Sequence, residues 1–512
     1  MSFIVCGLDF GTLGARCVLV DALTGKEVSA AEHAYRHGVL EGAPGEAFQD
    51  PADYKEALSE VIREAVKRAG IDASEIRAVG LDFTACTILP VDEELTPLCF
   101  LPEFQENRQS FVKLWKHHGA EAEAEELSRL FGKRLSSELG LPKVLETFRK
   151  APEVYERAAT FMEAADWVAS LLTGKEGHSA VFAGYKLLWD AEKGYPALPG
   201  GIERKLSQKI VKTGEVFGTV SREGALLSGL PEGIPVAPPM IDGHAGAAGT
   251  GMTKKNEMVL VLGTSGTQYL HSEEYHEVPG VFGCMKDGVI PGLYTYEAGQ
   301  SAVGDMFDWF VKTIVPEGYV PEGTDVHRFL SEKAAALPPE KEDLIAVDWL
   351  NGCRTPLNDG NLRGGIYGLT LGTKPEEIYL ALLKSAAMGT RRILENFETH
   401  GVAVEKITAC GGIALKNPLF VQLIADVCQR PVDVSAGKQC AALGSAVYAA
   451  VAEGAYQSIP EASLHMKSPV LYTAVPEREY EAQYRKYLKL SEVFRELGEE
   501  KAVPYRTAVT VQ

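Results

Sequence analysis

The sequence predicts an α/β protein built of two similar halves, and two observations carry that prediction. The chain has 512 residues, more than one hydrophobic core usually organises, so two domains are expected. One local pattern also occurs twice: a β-rich run, a turn dense in glycine and threonine, and a second β-rich run, at residues 3–20 and again at 258–270. Helical patterns follow each occurrence, which sets the class as α/β.

In the first half, residues 3–8 form a β-rich run, followed by Asp9-Phe10-Gly11-Thr12-Leu13-Gly14 and a second run at 17–20. Two short strands about such a turn make a hairpin. Asp50-Pro51 then opens a helix, with Asp as N-cap and Pro in the first turn. Its apolar residues Tyr54, Leu58, Ile62 and Val66 recur every four positions and predict one buried face. Residues 76–83 follow as a strand. The second half opens with a strand at 258–262, the turn Gly263-Thr264-Ser265-Gly266-Thr267 and a return strand at 268–270. A long helix is expected over 373–400 and a strand over 406–410. Asn417-Pro418 starts the next helix with the same cap-and-proline grammar, and a strand at 431–434 precedes a small-residue helix from Ala441. The expected boundary lies near Lys254-Lys255-Asn256. This gives domains 1–253 and 254–476 and a charged helical tail, 477–512, to which no chemistry is assigned.

Composition bounds the function. A formal net charge of −19 argues against nucleic acid as a partner. It leaves room for a nucleotide, since one phosphate site needs only local backbone donors and a metal ion. No apolar run is long enough to cross a bilayer, and the first residues lack the basic leader of a signal peptide. The nine cysteines are scattered without a CxxC pair, which fits a reduced, cytoplasmic protein without disulfides. A homodimer is left open.

A Gly/Thr hairpin turn lets backbone N–H groups converge on an anion, with a hydroxyl to assist. A single such turn also reads as an ordinary hairpin. Two of them, opening two similar halves, favour a phosphate held between domains. Asp9 at the first turn could hold Mg²⁺, because magnesium sites commonly use one or two carboxylates plus phosphate oxygens. It could equally be a turn-starting Asp bonded to its own backbone. Gly-Lys occurs at Gly25, Gly132, Gly174 and Gly437 but never before Ser or Thr, so there is no Walker A loop. Asp9-Phe10-Gly11 spells the protein-kinase DFG without the accompanying motifs, an accidental match. Asp242 ends the apolar run 234–241 and precedes the small-residue run 243–251. That reads as a strand ending at a carboxylate before a tightly packed helix, where an Asp could also be an N-cap.

These segments resemble the FGGY family of carbohydrate kinases. Gly7-Leu8-Asp9-Phe10-Gly11-Thr12 with Arg16, the turn Gly263-Thr264-Ser265, and Cys410-Gly411-Gly412 with Asn417-Pro418 are similar to that family's two phosphate segments and its adenosine segment. The resemblance spans nearly the whole chain. It implies two RNase H-like, actin-like ATPase domains around a central cleft, with sugar held mainly by the N-terminal domain and ATP mainly by the C-terminal one, and ATP and Mg²⁺ as cofactors. It assigns ATP contacts to Gly11, Thr12, Arg16, Gly263, Thr264, Ser265, Gly304, Gly411, Gly412 and Asn417, the metal to Asp9, and the catalytic base to Asp242.

Within the family, the segments at 82–87, 114–118, 183–186, 296–301 and 348–352 resemble the L-ribulokinase branch rather than glycerol kinase or xylulokinase. By that resemblance Ala85, Trp115, Lys186, Asp242 and Glu297 line a ketopentose pocket. Taken singly, Trp115 also reads as a core anchor, Lys186 as a solvated helix residue, and Glu297 as a surface charge. The chain departs from the branch by being shorter, by reading Asp242-Gly243-His244 where Asp-Ala-His is usual, and by reading Ser265-Gly266-Thr267-Gln268 where Ser-Thr-Cys-His is common. His244 is expected to be structural. The expected reaction is phosphorylation of a ketopentose by ATP, L-ribulose giving L-ribulose 5-phosphate. Its rivals are a kinase for D-ribulose or xylulose, and a non-catalytic sugar-binding regulator on the same scaffold.

Overall fold

A computed structural model describes residues 3–338 and 343–500. The chain forms two compact units. One holds residues 1–254, 285–295 and 439–468, and the other the remaining segments. The end of the predicted tail, 501–512, lies outside the described residues.

The first unit is built on a seven-stranded sheet. At its centre Ile4–Phe10 pairs antiparallel with Gly14–Asp21 and parallel with Ile76–Phe83. The two predicted strands about the first Gly/Thr turn are therefore a hairpin whose first strand is shared with a parallel neighbour. Gly14–Asp21 pairs on to Lys26–Ala34. On the far side of Ile76–Phe83 lie two short strands, Pro235–Val236 and Met240–Ile241. The sequence run 234–241 reads as one strand, but Pro238 and Pro239 lack the N–H a ladder requires and split it in two.

The helix Pro51–Ala69 begins as its sequence dictates. Asp50 accepts a hydrogen bond from the Ala52 N–H, and the helix ends on Gly70 in the left-handed conformation. Tyr54, Leu58, Val61, Ile62 and Ala65 are buried, and Phe10 stacks on Phe83 with centroids 5.0 Å apart.

The predicted small-residue helix, Cys440–Ala452, belongs to this first unit although it lies far along the chain. A Cβ on Gly7 would sit 1.9 Å from the Ala442 carbonyl oxygen, and one on Gly444 would sit 1.8 Å from that of Ala245. Backbone therefore lies against backbone between this helix, the strand Ile4–Phe10 and the helix Asp242–Gly249, which only glycine permits. A second, five-stranded sheet joins Leu40–Glu41, Ala47–Gln49, Val112–Lys113, Ile88–Val91 and Thr160–Glu163.

The second unit repeats the central theme. Glu257–Leu262 pairs antiparallel with Gly266–Ser272 and parallel with Lys406–Cys410, which pairs parallel with Val432–Ser435. The long helix runs Pro375–Thr399. The C-terminal helix Glu481–Glu500 is anchored to this unit: the Tyr487 hydroxyl donates to Asp348 at 2.8 Å, and Arg391 pairs with Glu481 at 2.8 Å.

Candidate active site

In the first unit, strand register assembles carboxylates. Asp9 lies opposite Asp82 in the parallel ladder, and Met240 is also paired with Asp82, which puts Asp242 just beyond the end of the next strand. Asp9, Asp82 and Asp242 thus mark the carboxyl ends of three neighbouring strands, where ligands of open α/β sheets commonly bind. Asp9 Oδ2 accepts from Arg16 Nη1 at 2.9 Å. Asp82 is fully buried and accepts from the Ser445 hydroxyl at 2.7 Å. Burial, reinforced by the charge of Asp9, pushes its carboxyl well above the usual range.

Asp242 is the first residue of the helix Asp242–Gly249, and Ile241 takes the cap position. The N-cap alternative for Asp242 is therefore not what the backbone adopts. Its Oδ1 accepts from the Gly243 N–H at 2.7 Å. His244 is buried, its ring 4.5 Å from that of Tyr185.

The first turn is braced from outside. Gly11 N–H donates to the Gly14 carbonyl at 3.0 Å, Gln49 Nε2 donates to the Thr12 carbonyl at 2.7 Å, and Trp115 Nε1 donates to the Thr12 hydroxyl oxygen at 3.1 Å. Two residues assigned to different ligands, Trp115 and Thr12, are thereby in contact. With its oxygen already accepting, the Thr12 hydroxyl has its own hydrogen to give. Ala85 lies in the loop that follows Ile76–Phe83. Lys186 is only 2 % exposed, so it is not a solvated helix residue. Burial pushes the neighbouring Cys86 thiol up to about 12, and the charges of Lys186 and Lys143 oppose that push.

In the second unit, Glu297 lies on the strand Tyr294–Gln300 and is 9 % exposed, so it is no surface charge. The second turn is held by its own backbone: Gly263 N–H donates to the Ser265 carbonyl at 3.0 Å, while Val303 and Asp305 N–H groups donate to the Thr264 carbonyl at 2.9 and 3.1 Å. Gly304 N–H donates to the Gly263 carbonyl at 3.0 Å. Gly263, Thr264, Gly304, Gly412 and Asn417 all line one cavity of about 590 Å³, within the size range of small-molecule sites. Ser265 and Gly411 lie beside these residues in sequence but are not among its lining. Gly411 sits at φ +97°, where a Cβ would come 2.5 Å from the Leu262 carbonyl oxygen. Asn417 caps the helix Pro418–Cys428 by accepting from Phe420 N–H at 3.1 Å.

Sequence reasoning missed the far wall of this cavity. Phe307, Tyr379 and Ile413 make it apolar, and His327 bridges Tyr379 and Asp308 at 3.2 Å each. These residues come from separate helices, and no local pattern connects them. Asp82 was legible in principle, since a carboxylate ending a strand is the same signal that singled out Asp242.

If the second turn holds ATP, as the resemblance implies, Gly304→Ala is expected to raise the KM for ATP. Its Cβ would stand 2.6 Å from the Gly263 carbonyl oxygen and 3.0 Å from Ile413 Cδ1, so the second turn must shift. A displacement near 1 Å can cost up to about 10²-fold in rate. Steady-state kinetics at saturating sugar would show the effect in kcat/KM for ATP.

Residues 4–249 match the N-terminal domain, and residues 258–453 the C-terminal domain, of the FGGY family of carbohydrate kinases. The chain belongs to that family. It is 41% identical over 530 residues to a ribulokinase of Halalkalibacterium halodurans, covering 95% of this chain and 94% of that protein. It is 40% identical to a ribulokinase of Bacillus licheniformis, covering 94% and 95%. Among solved structures, a xylulose kinase from Rhodospirillum rubrum superposes with a TM-score of 0.81 at 23% identity, covering 97% of this chain and 98% of that one. Plasmodium falciparum glycerol kinase with ADP superposes with a TM-score of 0.79 at 18% identity, covering 98% of each chain. The two structural likenesses show the fold alone. As in this family of kinases, the expected substrates are a sugar and ATP. No described helix is long and apolar enough to cross a membrane.

Proposed function

We propose that this FGGY kinase transfers the γ-phosphoryl group of ATP to the terminal hydroxyl of a 2-ketopentose, L-ribulose giving L-ribulose 5-phosphate, in the cytoplasm. The observation that carries this reading is the identity of about 40% with ribulokinases along nearly the whole of both chains. The three strand-end carboxylates of the first unit and the nucleotide-sized cavity of the second support it.

In this reading Asp242 accepts the proton of the attacking hydroxyl as general base. A phosphoryl-transfer transition state is loose, so positioning and electrostatics supply most of the rate. The Thr12 hydroxyl, whose oxygen already accepts from Trp115, donates to an oxygen of the transferring group. Arg16 orients Asp9 through their 2.9 Å ion pair. In the first unit Ala85, Trp115 and Lys186 shape the sugar pocket, and in the second unit the cavity beside Gly412 and Asn417 takes the nucleoside.

The residues around Asp9 fit Mg²⁺. Their carboxylates offer hard oxygen donors: Arg16 holds Asp9 Oδ2, and the second oxygen of buried Asp82, Oδ1, finds no donor within hydrogen-bonding distance among the described residues. Asp9, with Asp82 beside it, would hold the ion, which supplies charge neutralisation to the phosphate oxygens. A cation there would also draw the Asp82 carboxyl back to its ionised form.

The test is a coupled assay of ATP consumption with L-ribulose, D-ribulose and the two xyluloses. L-ribulose is expected to give the highest kcat/KM. Preference for D-ribulose or a xylulose would move the protein to a rival substrate, and no sugar-dependent turnover at all would favour a non-catalytic sugar-binding protein.

A further inference from the structure

We infer that Lys143 is a positioning residue for sugar selection: its ammonium group ties the loop that carries Ala85 to the loop that carries Trp115. The inference rests on the proposed sugar pocket, and it concerns a residue bonded to the backbone next to two of the side chains proposed to shape it.

Lys143 sits on the helix Gly140–Lys150 and is fully buried. Its Nζ donates to the Cys86 carbonyl and to the Leu114 carbonyl, each at 2.6 Å. Cys86 directly follows Ala85, and Leu114 directly precedes Trp115, so one ammonium grips the backbone adjoining both sugar candidates. A buried charge is costly unless it is satisfied, and charged hydrogen bonds are the strong ones. The two loops therefore cannot separate without stranding the ammonium.

The grip falls where the backbone needs it. Cys86 has φ +58°, a left-handed conformation that a residue with a Cβ adopts only when its surroundings hold it there. The next residue is held from the opposite side, since Thr87 N–H donates to Glu163 Oε2 at 2.9 Å. The Cys86–Thr87 peptide link is thus fixed at its carbonyl by a cation and at its N–H by a carboxylate. Such an arrangement serves exact placement of the preceding residue, Ala85. At the other loop, Trp115 passes the placement on to Thr12 through its 3.1 Å hydrogen bond. Lys143 is itself fixed in turn: its own carbonyl accepts from Lys113 Nζ at 2.9 Å.

The experiment compares Lys143→Met, which keeps the length of the chain but no donor, with Lys143→Gln, whose shorter amide retains donors, and with Lys113→Met. Lys113→Met removes the bonds from the Lys113 side chain to the same helix while leaving both Lys143 Nζ bonds, to Cys86 and Leu114, in place. The readouts are the ratio of kcat/KM for L-ribulose to that for D-ribulose, the KM for ATP, and the melting temperature. Lys143→Met is expected to reduce the ratio by about tenfold or more, a loss typical of small misplacement, with KM for ATP unchanged. Lys143→Gln should retain part of the selectivity. Lys113→Met should lower the melting temperature and leave the ratio alone.

A wild-type ratio maintained in folded Lys143→Met or Lys143→Gln would overturn the inference. So would an equal loss of selectivity in Lys113→Met, which would mark general loosening of the helix. Wild-type protein without ketopentose-dependent turnover would instead overturn the proposed function on which the inference rests.

Discussion

Asp242→Asn is expected to lower kcat by about 10²–10⁴-fold, the usual contribution of general acid–base catalysis, while KM for sugar and ATP changes little. The amide keeps the shape of the side chain, and its oxygen can still accept from the Gly243 N–H, which lies 2.7 Å from Oδ1. What it loses is the ability to take a proton. Because Ile241 and not Asp242 occupies the cap position of the helix Asp242–Gly249, no helix cap is lost with the carboxylate. The melting temperature should therefore stay close to wild type. Steady-state kinetics beside a thermal melt separates the two effects. A variant with wild-type turnover would remove Asp242 from the role of base and leave Asp9 or Asp82 as the carboxylate to test next.

Glu146→Leu is expected to destabilise the first unit by about 3–5 kcal/mol, the cost of removing one partner from a buried ion pair. Glu146 is fully buried and receives Lys113 Nζ at 2.7 Å, His117 Nε2 at 2.9 Å and Lys150 Nζ at 2.7 Å. The substitution leaves Lys113 buried without its carboxylate. Burial alone would raise the Glu146 carboxyl, but the hydrogen bond to His117 and the charge of Lys113 outweigh it and hold the group well below the usual carboxylate range.

The pH dependence follows from that direction. A carboxyl depressed in the folded state adds stability above its unfolded value of about 4.3, and that stability is lost as pH falls toward the folded value. The wild type should therefore lose stability on acidification below about pH 4, and the gap between wild type and Glu146→Leu should narrow. Denaturant midpoints at neutral and acid pH measure both. An unchanged gap would mean that Glu146 is not the ionised centre of this cluster.

Much of the secondary structure is legible because its causes are local. Asp50-Pro51 and Asn417-Pro418 start helices through a cap and a fixed φ, and both helices begin at that proline in the fold. The hairpins at both Gly/Thr turns follow from β-formers on each side of residues that turn easily. Where a local rule competed with hydrogen bonding, pattern alone misled: residues 234–241 are apolar throughout, yet Pro238 and Pro239 interrupt the ladder. Lys186 and Glu297 show the same limit for charge. A lone Lys or Glu reads as solvated, and only the packing around each one shows that it is buried.

The sequence by itself determined the α/β class, the two repeated hairpins, the capped helices and, through motif resemblance, the family. These are signals carried by residues within a few positions of one another, where backbone dihedral preference and side-chain spacing act directly. Only the tertiary structure decided that Asp9, Asp82 and Asp242 end adjacent strands, that Cys440–Ala452 returns to the first unit through glycine contacts, that Phe307, His327 and Tyr379 wall one cavity, and that Lys143 holds two loops at once. Each of these depends on strand register or on backbone approach between segments tens to hundreds of residues apart. Such contacts are fixed by close packing and by the need to satisfy buried polar groups, and neither condition leaves a periodic trace in the chain.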